Sequence, residues 1–181
     1  MQIHFKTAFK DMTFENIEAW ITLNHDRLIG SAVFTKNNSF VSKTVSWVEG
    51  LRCKDKRFIP SHTGSVVEYK GEICLFDMKP PRATIQPLAE YLFTTNDDFV
   101  LVLRDFALDT KMFSLNVTYH IGEFYPYLSA LRSVLTKRQT KWVRHCSELH
   151  LRELQKQGLF TELNPEITPD ELYHTLTGKG K

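Results

Sequence analysis

The chain has 181 residues, with 23 basic against 21 acidic side chains, a formal charge of +2, and 42% hydrophobic and 24% charged residues. Such a composition belongs to a globular chain rather than a disordered one, and the length suits one domain spanning 1–181 that buries its own core without disulfide or metal staples. The near-neutral balance argues against an electrostatic nucleic-acid binder. No run approaches the roughly 18 apolar residues of a membrane span; the densest, Phe99 to Leu103, has the length of a strand and meets Arg104. Met1 to Lys10 lacks an apolar stretch and a small-residue cleavage site, so no signal peptide is expected. Cys53, Cys74 and Cys146 make an odd number without short spacings, which points to free thiols and a cytoplasmic chain.

In chain order, Asp11 to Asn24 reads as a helix capped by Thr13, with Phe14, Ile17 and Ile21 at helical spacing, although Trp20 to Leu23 alone also fits a strand. Asp26 to Val33 reads as extended, Asn37-Asn38-Ser39 as a turn, Phe40 to Leu51 as a helix and Arg52 to Pro60 as a charged loop. His62 to Tyr69 and Ile73 to Asp77, joined through Lys70-Gly71, form a β-hairpin. Lys79 to Thr84, with two prolines, is expected to leave the sheet, and Pro87 to Phe93 to form a short helix. A turn at Asp97-Asp98 precedes a buried strand, Phe99 to Arg104, and helical patterns follow at 110–121, 127–136 and 146–157. Thr168-Pro169-Asp170-Glu171 is a capping box that opens a helix at 169–176, and the tail from Thr177 is expected to fray.

Two places could carry chemistry. Cys146 stands where an irregular stretch turns into a helix. Unpaired N–H groups and the positive dipole end there favour the thiolate. A small buried hydrophobe is the other reading of such a cysteine. A nucleophilic thiol needs a base, and the base an orienting partner. Among the seven histidines, His62 is placed by the hairpin. With Lys70 and Gly71 as loop residues, 69 pairs with 72, 67 with 74 and 64 with 77, so Asp77 shares a face with His62 and lies diagonally beside it, about 7–8 Å away at Cα. A carboxylate there could hold one ring nitrogen and leave the other for a thiol; an ordinary buried His–Asp bond would look the same, and a one-residue slip would send Asp77 to the opposite face. His150, one turn after Cys146, could join it in a metal pair but lacks a third ligand. His174 is expected to be solvated, and His4, His25 and His120 have no supporting pattern. Tyr125-Pro126-Tyr127 could line a pocket or simply pack before a helix. No GxxxxGK[ST] loop and no HExxH motif is present.

The order of these motifs resembles the permuted NlpC-type papain-like hydrolases, in the YiiX-like branch. Ser61 to Glu68 is similar to the family's histidine strand, Leu75 to Pro80 to the strand after it, and Gln86 to Leu92 to the next segment. Gly122 to Leu128 is similar to a Gly–Tyr stretch, His145 to Leu149 (HCSEL) to the start of the nucleophile helix, and Thr168 to Tyr173 to a C-terminal segment. The likeness runs from about residue 60 to 176, while the first 55 residues match weakly. It implies an α+β papain-like fold in permuted order, an antiparallel sheet packed with helices. Cys146 would be the nucleophile, His62 the base, Asp77 the third polar residue and Tyr125 a substrate contact. The chain departs from the pattern at Asp77, usually glutamate, at His145, usually aromatic, and at Tyr-Pro-Tyr, where the family has an aspartate.

The implied activity is thiol acyl transfer on an amide or ester bond, with no metal or organic cofactor. Relatives of this fold cut murein stem peptides, and others move acyl chains on lipids. A peptide of peptidoglycan type is the first expectation for the substrate. Without a signal peptide it would be a cytosolic precursor, a recycled fragment or a target reached by other means, such as a phage particle. An acyl-ester or lipid substrate on the same triad, and a non-catalytic binding or structural module on the same scaffold, are the alternatives; a redox-sensing thiol is a further one.

Overall fold

The computed structural model describes residues 1–36, 58, 60–78, 81–124 and 146–178. Among them lie six α-helices and a six-stranded sheet, a mixed α+β architecture. In chain order they are β1 (Gln2–Phe5), a 3-10 turn (Lys6–Ala8), α1 (Phe14–Leu23), α2 (His25–Leu28), β2 (Ala32–Lys36), β3 (His62–Tyr69), β4 (Glu72–Met78), β5 (Ala83–Pro87), α3 (Leu88–Thr94), β6 (Asp98–Leu103), α4 (Thr110–Thr118), α5 (Cys146–Gln155) and α6 (Pro169–Thr177). The strand order is β1-β6-β2-β3-β4-β5, with every neighbouring pair antiparallel.

The helix starts follow the expected chemistry. The Thr13 hydroxyl accepts from the Asn16 N–H at 3.3 Å and opens α1; Asp109 accepts from Met112 at 2.9 Å and opens α4. Both halves of the Thr168/Glu171 capping box are made, Pro169 takes the first turn of α6, and Gly178 stops that helix at φ +69°, a conformation that costs glycine little. The β3–β4 turn has Lys70 at φ +54° and Gly71 at +80°. Positive φ at both central residues is the two-residue hairpin turn whose twist matches its strands.

Three stretches differ from the sequence expectations. Asp26 to Val33 is not extended throughout: α2 occupies His25–Leu28, and the strand starts only at Ala32. Arg104 holds this bend. Its guanidinium donates to the carbonyls of Ile29 (2.6 Å), Phe106 (2.6 Å) and Asp26, and Gly30 turns at φ +82°. The chain beyond the two prolines does not leave the sheet. It returns as β5, pairing Met78 with Ala83 and Cys74 with Pro87; on an edge strand the missing proline N–H breaks no ladder bond. Gln2–Phe5, where no element was expected, pairs with β6 as β1. The expected turn at 37–39, helix at 40–51, most of the loop at 52–60 and helix at 127–136 lie outside the described residues.

Alternation assigns the sheet two faces. Ala32, Phe34, Val100 and Val102 pack with Leu151 of α5 and with Leu172, Tyr173 and Leu176 of α6. Val33, Val66, Leu75, Leu101 and Leu103 belong to the larger core with Ile17 and Ile21 of α1, Leu28 of α2 and Leu88 and Tyr91 of α3. Phe34 is fully buried, with its ring 5.3 Å from that of Tyr173. Phe34→Ala should therefore lower the unfolding free energy by about 3–5 kcal/mol, read by urea denaturation.

Candidate active site

The hairpin delivers His62 and Asp77. Gly64 pairs with Asp77, Val67 with Cys74 and Tyr69 with Glu72, the register that the turn imposes. His62 and Asp77 thus share a face, and His62 Nε2 is hydrogen-bonded to Asp77 Oδ1. Both side chains are buried. Gly64, opposite Asp77, has no room for a side chain. A Cβ there would come within 2.7 Å of Leu75 Cδ1 and 3.2 Å of the Phe76 carbonyl. Gly64→Ala is expected to cost about 1–3 kcal/mol through overpacking, measurable as a lowered denaturation midpoint.

The thiol comes from α5. Cys146, the first described residue of this helix, lies against the first residues of β3. The thiol faces His62 and the backbone N–H groups of Thr63 and Ser147, each of which lowers its pKa. Because Nε2 is held by Asp77, Nδ1 is the ring nitrogen left for the sulfur. The Ser147 hydroxyl donates to the Ile167 carbonyl at 2.5 Å and ties the helix start to the approach to α6. Glu148, buried in the first turn, accepts from Arg152 Nε at 2.7 Å.

Electrostatics poise the pair. Burial raises the Cys146 thiol, but the charge of His62, its hydrogen bond and the two backbone N–H groups outweigh burial and bring the thiol below its ordinary value. Burial likewise works against a charged His62 ring, yet Cys146 and Asp77 together hold its pKa well above the ordinary one. Both shifts favour thiolate facing imidazolium. By contrast, burial and the neighbouring Glu72 push the Cys74 thiol up to about 11, the behaviour of an inert structural cysteine.

Sequence reasoning named all three residues that meet here. It missed the Thr63 and Ser147 N–H groups, whose signal was only their adjacency to His62 and Cys146. It also missed Tyr91 of α3, a buried phenol pushed up by burial, with the charges of Asp77 and Asp97 adding to the shift. His150 does not pair with Cys146: it is bonded to Ser65. His174, expected in solvent, has a side chain only 17% exposed and faces Asp170 at 3.5 Å, because α6 packs its inner side on the sheet. Tyr125, Cys53 and His145 lie outside the described residues. Among the described residues, no three His, Cys, Asp or Glu side chains gather closely enough to hold a metal ion, and no helix is long and apolar enough to cross a membrane.

No protein-family model matches this chain, and no curated protein matches it significantly.

Proposed function

We propose that the chain is a cysteine hydrolase of the papain-like, circularly permuted NlpC type, working by thiol acyl transfer. One observation carries the reading: the Cys146 thiol of α5 faces a buried histidine whose ring is held by a carboxylate. That is the nucleophile, base and orienting group that acyl transfer needs. The Cys146 thiolate attacks the carbonyl of an amide or ester, and His62 passes its proton to the leaving amine or alcohol. Water, deprotonated by His62, then releases the acid and restores the thiol. Asp77 keeps the ring in one tautomer and orientation. N–H groups at the start of α5 are placed to receive negative charge from the carbonyl oxygen.

A peptide of peptidoglycan type is the substrate class we favour, on the resemblance of the HCSEL and His-x-Gly segments to murein-cleaving relatives. One observation speaks for an acyl ester instead. Met112, Leu115 and Tyr119 sit at helical spacing along α4 and its end with 49%, 66% and 83% exposure, a stripe that suits an apolar or interfacial substrate. The nearby groove of about 550 Å³ lined by Leu115, Tyr119, His120 and Lys156 is not the scissile-bond cleft. Lys156 lies just past the far end of α5, some 15 Å along the helix from Cys146.

The test is to incubate the protein with murein stem peptides and with short acyl esters, quench in acid and search for an acyl adduct by mass spectrometry. An adduct on Cys146, with acid released over time, is the expected result, and the class that forms it names the substrate. A protein whose Cys146 neither acylates nor reacts as a thiolate at low pH would be a binding or structural module instead.

A further inference from the structure

Four residues, one helical turn, separate Cys146 from His150 on α5, and three separate His62 from Ser65 on β3. The two elements meet at two places. Cys146 meets His62, and His150 Nδ1 lies 2.8 Å from Ser65 Oγ. Both members of the second pair are buried, His150 completely. Phe113 of α4 closes the ring from one side, edge to face at 5.6 Å.

His150 is a costly residue for that place. Its Nε2 is buried with no hydrogen-bond partner among the described residues, and such an orphan costs about 1–3 kcal/mol. Leu149 and Leu151 on either side are buried apolar side chains, and a leucine at 150 opposite an apolar residue at 65 would pack without that cost. What a leucine could not supply is a directional bond to β3. Apolar contacts let a helix turn or slide slightly on a sheet, whereas a hydrogen bond at 2.8 Å tolerates only a few tenths of an ångström. A thiol–imidazole bond one turn away needs such precision.

We infer that the Ser65–His150 hydrogen bond sets the register of α5 on β3 and so holds the Cys146 thiol in line with the His62 ring. His150 is then a positioning residue. The inference rests on the reading of Cys146 and His62 as the reacting pair. Burial brings His150 down to about 4, so the ring stays neutral where the thiol is assayed and adds no titration of its own.

The test compares the full-length wild type with Ser65→Ala, His150→Leu and His150→Asn. Alkylation of Cys146 by iodoacetamide is followed by mass spectrometry from pH 5 to 9, with thermal unfolding as the control for folding. Ser65→Ala and His150→Leu should each lower the ratio of the pH 6 rate to the pH 9 rate at least tenfold. The double variant should lose no more than either single one, because both remove the same bond. His150→Asn, whose amide reaches the Nδ1 position, should recover most of the loss. A wild-type profile in folded Ser65→Ala or His150→Leu overturns the inference, and loss in His150→Leu beside a wild-type Ser65→Ala would mean that ring volume matters and not the bond. If His150→Leu does not fold, Ser65→Ala, which deletes a single hydroxyl, decides alone. A wild type without a low-pH thiolate removes the proposed function itself, and this inference with it, whereas an intact wild-type profile that no variant changes removes the inference only.

Discussion

Cys146→Ala should reduce acid release from any substrate of the wild-type protein by at least about 10⁴-fold, to the level set by binding and backbone contacts alone. The size follows from what is removed. Without the sulfur no acyl-enzyme forms, and His62 has only water to activate across a gap built for a thiol. The fold should survive. Cys146 is buried at the start of a helix whose hold on the sheet comes from Leu149, Leu151 and Leu154, and alanine removes one atom from a helix-compatible position. Circular dichroism and the denaturation midpoint check that the loss is chemical. Cys146→Ser, which keeps a hydroxyl of similar shape but far higher pKa, should be nearly as inactive. Full turnover by folded Cys146→Ala would sink the nucleophile assignment.

The parts of this site that the sequence disclosed share a physical origin: short-range rules fix them. A two-residue turn at Lys70-Gly71 leaves one register for the hairpin, and the period of two then puts Asp77 on the face of His62. The capping residues Thr13 and Thr168 announce their helices because the bonds they make reach only three residues on. What stayed hidden depends on partners far along the chain. α2 is four residues long and is tied down by Arg104, 78 residues after Asp26. β1 is a half-exposed edge strand whose neighbour β6 lies about a hundred residues away. β5 follows Pro80 and Pro81, which composition alone reads as a break from the sheet. The Thr63 and Ser147 N–H groups that face the thiol are backbone atoms and have no side-chain signature at all.

The same division explains why the three site residues could be brought together on paper only in part. His62 and Asp77 are 15 residues apart within one hairpin; Cys146 is 84 residues beyond His62 and arrives through the packing of α5 on β3. The seam between them is where His150 meets Ser65, 85 residues apart in sequence. Nothing in the periodicity of α5 separates a histidine that bonds a strand from one that only fills space.

The second large effect concerns the base. His62→Ala should abolish the low-pH reactivity of Cys146. In the wild type, burial pushes the thiol up while the His62 charge and the donated hydrogen bonds pull it down, and the pull wins. Removing the imidazole leaves burial opposed only by two backbone N–H groups, so the thiol returns to or above its ordinary range. A thiol of pKa about 8.5 is only about 0.3% thiolate at pH 6. The alkylation rate there should fall by about 10²-fold, somewhat less because a thiolate of low pKa is intrinsically less nucleophilic. Asp77→Asn separates the two roles of the carboxylate. The asparagine carbonyl still accepts from Nε2–H, so the ring keeps its direction, but the negative charge that helps hold His62 above its ordinary pKa is gone. The active window lies between the lowered thiol and the raised imidazole. Losing that charge should bring its alkaline edge down and cut kcat/KM on the order of 10²-fold. A pH–rate profile whose alkaline limb stays in place in Asp77→Asn would mean that Asp77 orients the ring without setting its charge.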